Sequence, residues 1–293
     1  GSAFRAYGSP QAFVASESLM DELAEKMGVD PLELRYKNVY RKGSTTPTGQ
    51  DPAVYSLPDL LDAIRPAYKA AKKRAAETST AEGKGGVGIS IGIYGCGLDG
   101  ADGSVADVEL TPTGVTVYSS WEDHGQGADA GALGTAHEGL RPLGIKPEQI
   151  KLVMNDTAIT PASGPAGGSR SQVMTGNAIR VACENLLKAL QKPGGGYRTY
   201  DEMVAEGLPL RYEGKWAAVM NSNCDAKTAQ GNPFAVYMYG AFVAEVAVDV
   251  KTGKTQVEKM TVAADIGKIN NRLVVDGQIY GGVAQGIGLA LSE

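Results

Sequence analysis

Three glycine-rich turns hold the residues of this sequence best suited to chemistry. The first, Trp121-Glu122-Asp123-His124-Gly125-Gln126-Gly127, sets a His and two carboxylates between a strand-like run, Gly114 to Ser120, and a helix-like run, Ala128 to Arg141. Backbone N–H groups at such a helix start can face an anion. The second, Ser163-Gly164-Pro165-Ala166-Gly167-Gly168-Ser169-Arg170, also runs into a helix. It reads either as an ordinary connection with a capping Ser or as a set of free N–H groups beside a guanidinium, which suits phosphate. The third, Gly95-Cys96-Gly97-Leu98-Asp99-Gly100, matches G-x-G-x-x-G after a strand. A dinucleotide fingerprint needs a helix directly after the glycines, and here a strand pattern follows, so a flexible loop at the mouth of a site is expected instead. Together the turns favour an extended polar ligand.

The closing stretch adds a fourth signal. Gly281, Gly282, Gly286 and Gly288 fall in a helical pattern, where each interior Gly costs roughly 0.8 to 1 kcal/mol relative to Ala. Tight packing or close approach of a bulky ligand would offset that cost, and for an isolated helix packing is the favoured account. Gln278 and Gln285 lie two turns apart and share a face. The 2 His residues cannot build a His-rich metal site, and Cys96, Cys183 and Cys224 lack C-x-x-C spacing, so any metal must bring its own ligands. Cys183, within an apolar helix, reads as a small buried hydrophobe.

Composition bounds the partners. The 293 residues can bury a large core and are long enough for two domains. With 28 Lys and Arg against 33 Asp and Glu, the net charge of −5 is spread without a basic block, which argues against nucleic acid. Neither a membrane-length apolar run nor a signal-peptide pattern occurs, so a cytoplasmic protein with no membrane partner is expected. The chain opens Gly1-Ser2-Ala3 and closes inside an apolar helical pattern, which reads as an excised segment.

The elements that must position the turns follow from periodicity and punctuation. Ser9 and Pro10 start a helix that runs to Met27 with Phe13, Leu19, Met20, Leu23 and Met27 mostly on one face, and Gly28 stops it. Asp30-Pro31 starts a short helix through Tyr40, and a third spans Pro58 to Glu77, with Pro66 expected to kink or divide it. A polar stretch, Thr78 to Gly86, marks a domain boundary. Beyond it come a strand at Val87 to Tyr94 and a hairpin at Ala106 to Leu110 and Val115 to Tyr118. A short strand at Lys151 to Met154, a helix at Ser171 to Gln191 and a capping-box helix from Thr199 and Glu202 follow. A second hairpin, Ala241 to Val250 with Lys254 to Ala264, turns at Lys251-Thr252-Gly253. The fold class is α+β, mixed sheets with packed helices.

The segment Ala3-Phe4-Arg5-Ala6-Tyr7-Gly8-Ser9-Pro10-Gln11 resembles the F-R-x-[FY]-G-x-P-Q segment of the xanthine oxidase family of molybdenum hydroxylases. His124-Gly125-Gln126-Gly127 resembles that family's G-Q-G segment. Asp265-Ile266-Gly267, Asn271, Gly277-Gln278 and Gln285-Gly286-x-Gly288 resemble its D-x-G, N, G-Q and Q-G-x-G block, in the same order. The wording around Trp121 to Gly127 and Gly167 to Arg170 is most similar to the bacterial aldehyde oxidoreductases that use molybdopterin cytosine dinucleotide.

The resemblance implies an enzyme that oxidises aldehydes to carboxylic acids with oxygen from water, on molybdenum held by the pterin dithiolene. It implies that residues 1–80 are the C-terminal part of a first molybdenum cofactor-binding subdomain and 81–293 the N-terminal part of a second. Phe4 and Arg5 would line the metal side of the cofactor, while His124, Gly125, Gln126 and Gly127 would bind pterin and phosphate. Ala166, Gly167 and Gly168 would lie along the dinucleotide, with Asn271, Gly277 and Gln278 on its other side. Tyr7, Tyr94 and Leu98 would border the substrate channel. The family's catalytic Glu, in a G-x-G-E segment, is expected downstream of Glu293, so no residue here is assigned as catalytic and turnover by the segment alone is not expected. [2Fe–2S] domains passing electrons to an acceptor, and a homodimer, are expected of the full protein. The competing reading is a non-catalytic module that binds a ligand or partner through its Gly-rich loops.

Overall fold

In a computed structural model, residues 4–98, 100–218 and 221–292 are described. Gly1, Ser2, Ala3, Asp99 and Glu293, which figure in the sequence readings, lie outside them. In chain order the elements are α1 (Ser9–Met27), α2 (Pro31–Asn38), α3 (Leu57–Thr78), β1 (Gly83–Cys96), β2 (Gly103–Thr111), β3 (Gly114–Ser119) and α4 (Ala128–Gly139). Then come β4 (Ile150–Met154), α5 (Ser171–Leu190), α6 (Tyr200–Ala205), β5 (Arg211–Ala217), β6 (Val236–Asp249), β7 (Thr255–Asp265) and α7 (Arg272–Leu291). Helices and mixed and antiparallel sheets make this the expected α+β fold. Among the described residues no helix is long and apolar enough to cross a membrane. The chain divides into two compact units, each built from separated stretches.

The first unit comprises residues 1–94, 236–268 and 279–293. Its sheet has the order β1-β6-β7, and α3 packs on β6 and β7. Leu57, Leu61, Ile64, Tyr68 and Ala71 recur along one side of α3 and meet Ile89, Tyr239, Ala241 and Val243 of the sheet. Pro66 does not divide the helix, which runs unbroken to Thr78. Asp30 caps α2 as expected, accepting from Leu32 N. For α1 the N-cap is Gly8, not Ser9, and the apolar stripe reads differently from its pattern: only Ala24 is buried, while Leu19, Leu23 and Met27 stay exposed. The buried guanidinium of Arg35 ties α1 to α2, donating to Glu17 Oε2 and Asp21 Oδ1 at 2.8 and 2.7 Å.

The second unit comprises residues 95–235 and 269–278. Its sheet has the order β4-β3-β2-β5, with β3 and β4 parallel and the other pairs antiparallel. Strand β2 alternates, turning Ser104, Ala106, Val108 and Leu110 inward. Met174, Ala178, Ala182, Leu186 and Leu190 run down α5 at the matching helical spacing. Both expected hairpins form, in the second unit at Thr111 and Gly114 and in the first at Asp249 to Thr255. The capping box at Thr199 and Glu202 makes both of its hydrogen bonds. The sequence reading missed β5 altogether.

Candidate functional site

The three turns lie together in the second unit. Gly97 N donates to Gly168 O at 2.9 Å, joining the 95–98 turn to the 163–168 turn. Gly168 has φ 59°, and a Cβ there would stand 2.7 Å from Gly97 O, so the position needs glycine on both counts. Ala166 N donates to Glu122 Oε2 at 2.7 Å, which joins the 163–168 turn to 121–127. The 269–278 stretch belongs to the same cluster. Asn270 Nδ2 donates to Gly131 O at 3.0 Å, and a Cβ on Gly127 would stand 2.8 Å from Val274 Cγ1. Asn271 then starts α7, its Oδ1 accepting from Val274 N.

The carboxylates of this cluster are spent on backbone. Asp123 accepts from the amides of Gly125, Gly127 and Asp129. Burial works against its ionisation, but those amides outweigh burial and hold the carboxyl below the usual range. The carboxylate thus sits at the start of α4, where its Oδ2 reaches Asp129 N at 3.5 Å. Gln126 is likewise engaged, with Nε2 donating to Glu122 O and Oε1 accepting from His124 N. What stays open is the exposed His124 side chain and the face of Gly125, which has φ 102° and no atom within 4 Å of a Cβ among the described residues.

The 163–169 turn differs. Among the described residues no acceptor meets the N–H of Gly167, Gly168 or Ser169, and a Cβ on Gly167 would find open space. Arg170 is not the exposed phosphate ligand of the sequence reading: it is 1% exposed and paired with Asp102. It is also the N-cap of α5, a place the reading gave to Ser. Burial works against ionisation of Asp102, but the Arg170 guanidinium and the Leu98 amide prevail and hold its carboxyl below the usual range.

Among the other assigned residues of the second unit, Leu98 is exposed at the tip of its turn, Gly277 is exposed with open space at a Cβ position, and Gln278 is half-buried. Phe4, Arg5, Tyr7 and Tyr94 belong to the first unit. Phe4 O accepts from Tyr7 N at 2.8 Å in a turn where Ala6 and Tyr7 are both left-handed, φ 70° and 54°. In that unit Gln285 Nε2 donates to Arg5 O, and the Arg5 guanidinium lies where a Cβ on Gly281 would come within 2.8 Å of Nη1. Tyr7 is 75% exposed, and Tyr94 is half-buried at the end of β1. Cys183 and Cys96 are buried, and burial pushes their thiols up to about 12 and about 11, which makes them inert hydrophobes. Sequence reasoning missed Asp102 and Asn270. A carboxylate directly after the third turn, in a chain with an unpartnered Arg in the second, was the available signal for Asp102.

Residues 63–293 match a molybdopterin cofactor-binding domain family, and residues 1–39 match a second family of the same description. The chain belongs to the molybdopterin cofactor-binding domain family. It is 64% identical over its whole length to an aldehyde oxidoreductase of Megalodesulfovibrio gigas and 26% identical to a xanthine dehydrogenase/oxidase of Mus musculus. These alignments cover 100% and 99% of this chain but only 32% and 22% of those proteins. The fold superposes on the structure of the aldehyde oxidoreductase from Desulfovibrio gigas with a TM-score of 0.98, covering 100% of this chain and 32% of that one. For the Desulfovibrio desulfuricans ATCC 27774 aldehyde oxidoreductase the TM-score is 0.96 at 65% identity, with 98% and 32% covered. The chain thus spans about a third of the length of the aldehyde oxidoreductases it matches, 32%. The motif resemblance to the xanthine oxidase family is borne out by these relatives.

The residues of the second unit fit a bulky anionic cofactor. Free amides at 167–169 offer donors, the bare faces of Gly125 and Gly167 admit a flat or extended group, and the carboxylates nearby are engaged with backbone.

Proposed function

We propose that this chain is the cofactor-holding part of a molybdenum hydroxylase that oxidises aldehydes to carboxylic acids with oxygen from water, and that its cofactor is molybdopterin cytosine dinucleotide. The observation that carries the reading is 64% identity over the whole chain to an aldehyde oxidoreductase, in a segment matching molybdopterin cofactor-binding domains. When bound, the molybdenum cofactor supplies the oxidation and oxygen-transfer chemistry that side chains cannot.

This chain's residues hold and orient. Gly167 and Gly168, with their free amides, suit the phosphates, and Ala166 continues that wall. His124, Gly125, Gln126 and Gly127 bind pterin and phosphate on this reading, and the Asp123 carboxylate on the Gly125 and Gly127 amides favours the pterin ring nearest it. Asn271, Gly277 and Gln278 supply a further wall on α7. By the same resemblance, Phe4 and Arg5 are assigned to the metal side and Tyr7, Tyr94 and Leu98 to the substrate path. Residues 1–80 and 81–293 belong on this reading to two successive cofactor-binding subdomains; two separate family matches, at 1–39 and 63–293, support two subdomains, though the second begins before residue 81. The base that activates the oxygen nucleophile is a Glu outside this segment, [2Fe–2S] domains outside it carry electrons to the acceptor, and the full protein is a homodimer.

The test uses the full-length protein isolated under conditions that preserve cofactors. Stoichiometric molybdenum and pterin are expected, with cytidine monophosphate released on hydrolysis and turnover of small aldehydes. A protein with neither metal nor pterin would be the non-catalytic module instead. Gln278→Ala is expected to lower molybdenum retention about fivefold, the scale of one lost hydrogen bond, at unchanged melting temperature.

A further inference from the structure

We propose that Asp102 and Arg170 are a positioning pair that sets the 163–169 turn for the cofactor without touching it. The inference rests on the cofactor-binding reading above and assigns the pair's part in it. A guanidinium carries five N–H donors in a fixed plane, and here protein acceptors surround it on every nitrogen. Nε donates to both carboxylate oxygens of Asp102 at 2.9 Å. Nη1 donates to Ser163 O and Pro165 O, each at 3.0 Å. Nη2 meets Asp102 Oδ1 at 2.8 Å and donates to Gly103 O. At 1% exposure the guanidinium is closed to a phosphate.

The consequence lies in what the pair ties together. Asp102 Oδ2 also accepts from Leu98 N at 3.0 Å, so one buried ion pair fastens the 95–98 turn, the start of β2 and the 163–165 carbonyls. Ser163 is pinned further: its Oγ donates to Val105 O and accepts from Ser120 N, and its carbonyl accepts from Ser104 Oγ. With the carbonyls of 163 and 165 drawn to the guanidinium, the amides of 167–169, which meet no acceptor among the described residues, are presented as a set. A Cβ on Gly164 would lie 2.9 Å from Nη1, so the turn is moulded around the guanidinium. A lysine, with a point charge in place of a planar fork, cannot reproduce this geometry.

The experiment compares molybdenum release from full-length holoenzyme on dilution. Arg170→Lys is expected to release the metal roughly ten- to a hundredfold faster than wild type, the range that follows from losing a charge-assisted hydrogen bond. A core variant of α5 far from the turn, Leu186→Ala or Ile179→Val, whichever matches its melting temperature, is expected to release at the wild-type rate. The double variant Asp102→Leu/Arg170→Met removes both charges and strands neither, so it tests the pair if Arg170→Lys does not fold; it too should release faster. Release from these variants at the wild-type rate, or no faster than from the matched core variant, overturns the positioning role. Wild-type protein without molybdenum and pterin instead overturns the cofactor reading on which it rests.

Discussion

Asp102 and Arg170 place opposite charges where their side chains are 3% and 1% exposed. Taking such a pair out of water costs about as much as its attraction returns, so its presence argues for specificity more than stability. Removing one partner is another matter, because the other charge is left buried. The Asp102→Asn variant should lose about 3 kcal/mol of stability at neutral pH. The sign of the pH dependence follows from the lowered carboxyl of Asp102. A carboxylate whose folded pKa is depressed contributes stability that is complete above the unfolded value, about 3.9, and that disappears as pH falls through the lower folded value. The difference in melting temperature between wild type and Asp102→Asn should therefore be constant above about pH 5 and shrink below pH 4. A difference that stays constant to pH 2 would show that Asp102 titrates normally.

At the scale of elements, α7 answers the question its glycines posed. Gly281 faces the movable end of the Arg5 guanidinium, whereas Gly277 and Gly286 have no atom within 4 Å of a Cβ among the described residues. Packing within these units does not explain those two. Ligand approach at Gly277 predicts opposite effects in two states of the full-length protein. In cofactor-free protein, Gly277→Ala should stabilise by about 0.8 to 1 kcal/mol through helix propensity, seen by urea denaturation. In the loaded protein it should speed molybdenum loss, and stabilisation of both states would remove Gly277 from the site. Elements with strong local chemistry were legible in the sequence: both hairpins through their turns, α5 through its four-residue spacing, α6 through its capping box. Strand β5 was not, because the residue it buries is Gly214, and Arg, Glu and Lys fill its outward positions. The role of Arg170 was hidden for a different reason. Its partner lies 68 residues away, and only the folded sheet brings the two together.

The whole molecule carries apolar surface that its own described residues leave uncovered. The twenty residues of α7 include none that is buried, and Leu273 and Tyr280 are 83% and 70% exposed. Within the first unit, Val14, Leu19, Leu23 and Met27 of α1 are exposed as well. Scattered single exposures are ordinary, but an apolar helix with no buried face is not, and contiguous exposure beyond a few hundred Å² marks contact surface or an aggregation liability. The aldehyde oxidoreductases that match this chain are about three times as long, since it covers 32% of them. Further chain of the same polypeptide is the natural cover for these faces. If so, the 293-residue segment produced alone should bind a hydrophobic dye such as anilinonaphthalene sulfonate and self-associate at micromolar concentration, while the full-length protein should do neither beyond the homodimer proposed for it above. Changing Leu273 and Tyr280 to Ser should reduce both behaviours in the segment, because each removes apolar area that water otherwise faces. Size-exclusion chromatography with light scattering, run beside the dye titration, reads the two effects separately. A dye-silent monomeric segment would mean that α7 finds its cover within these 293 residues, by packing differently from the helix described here.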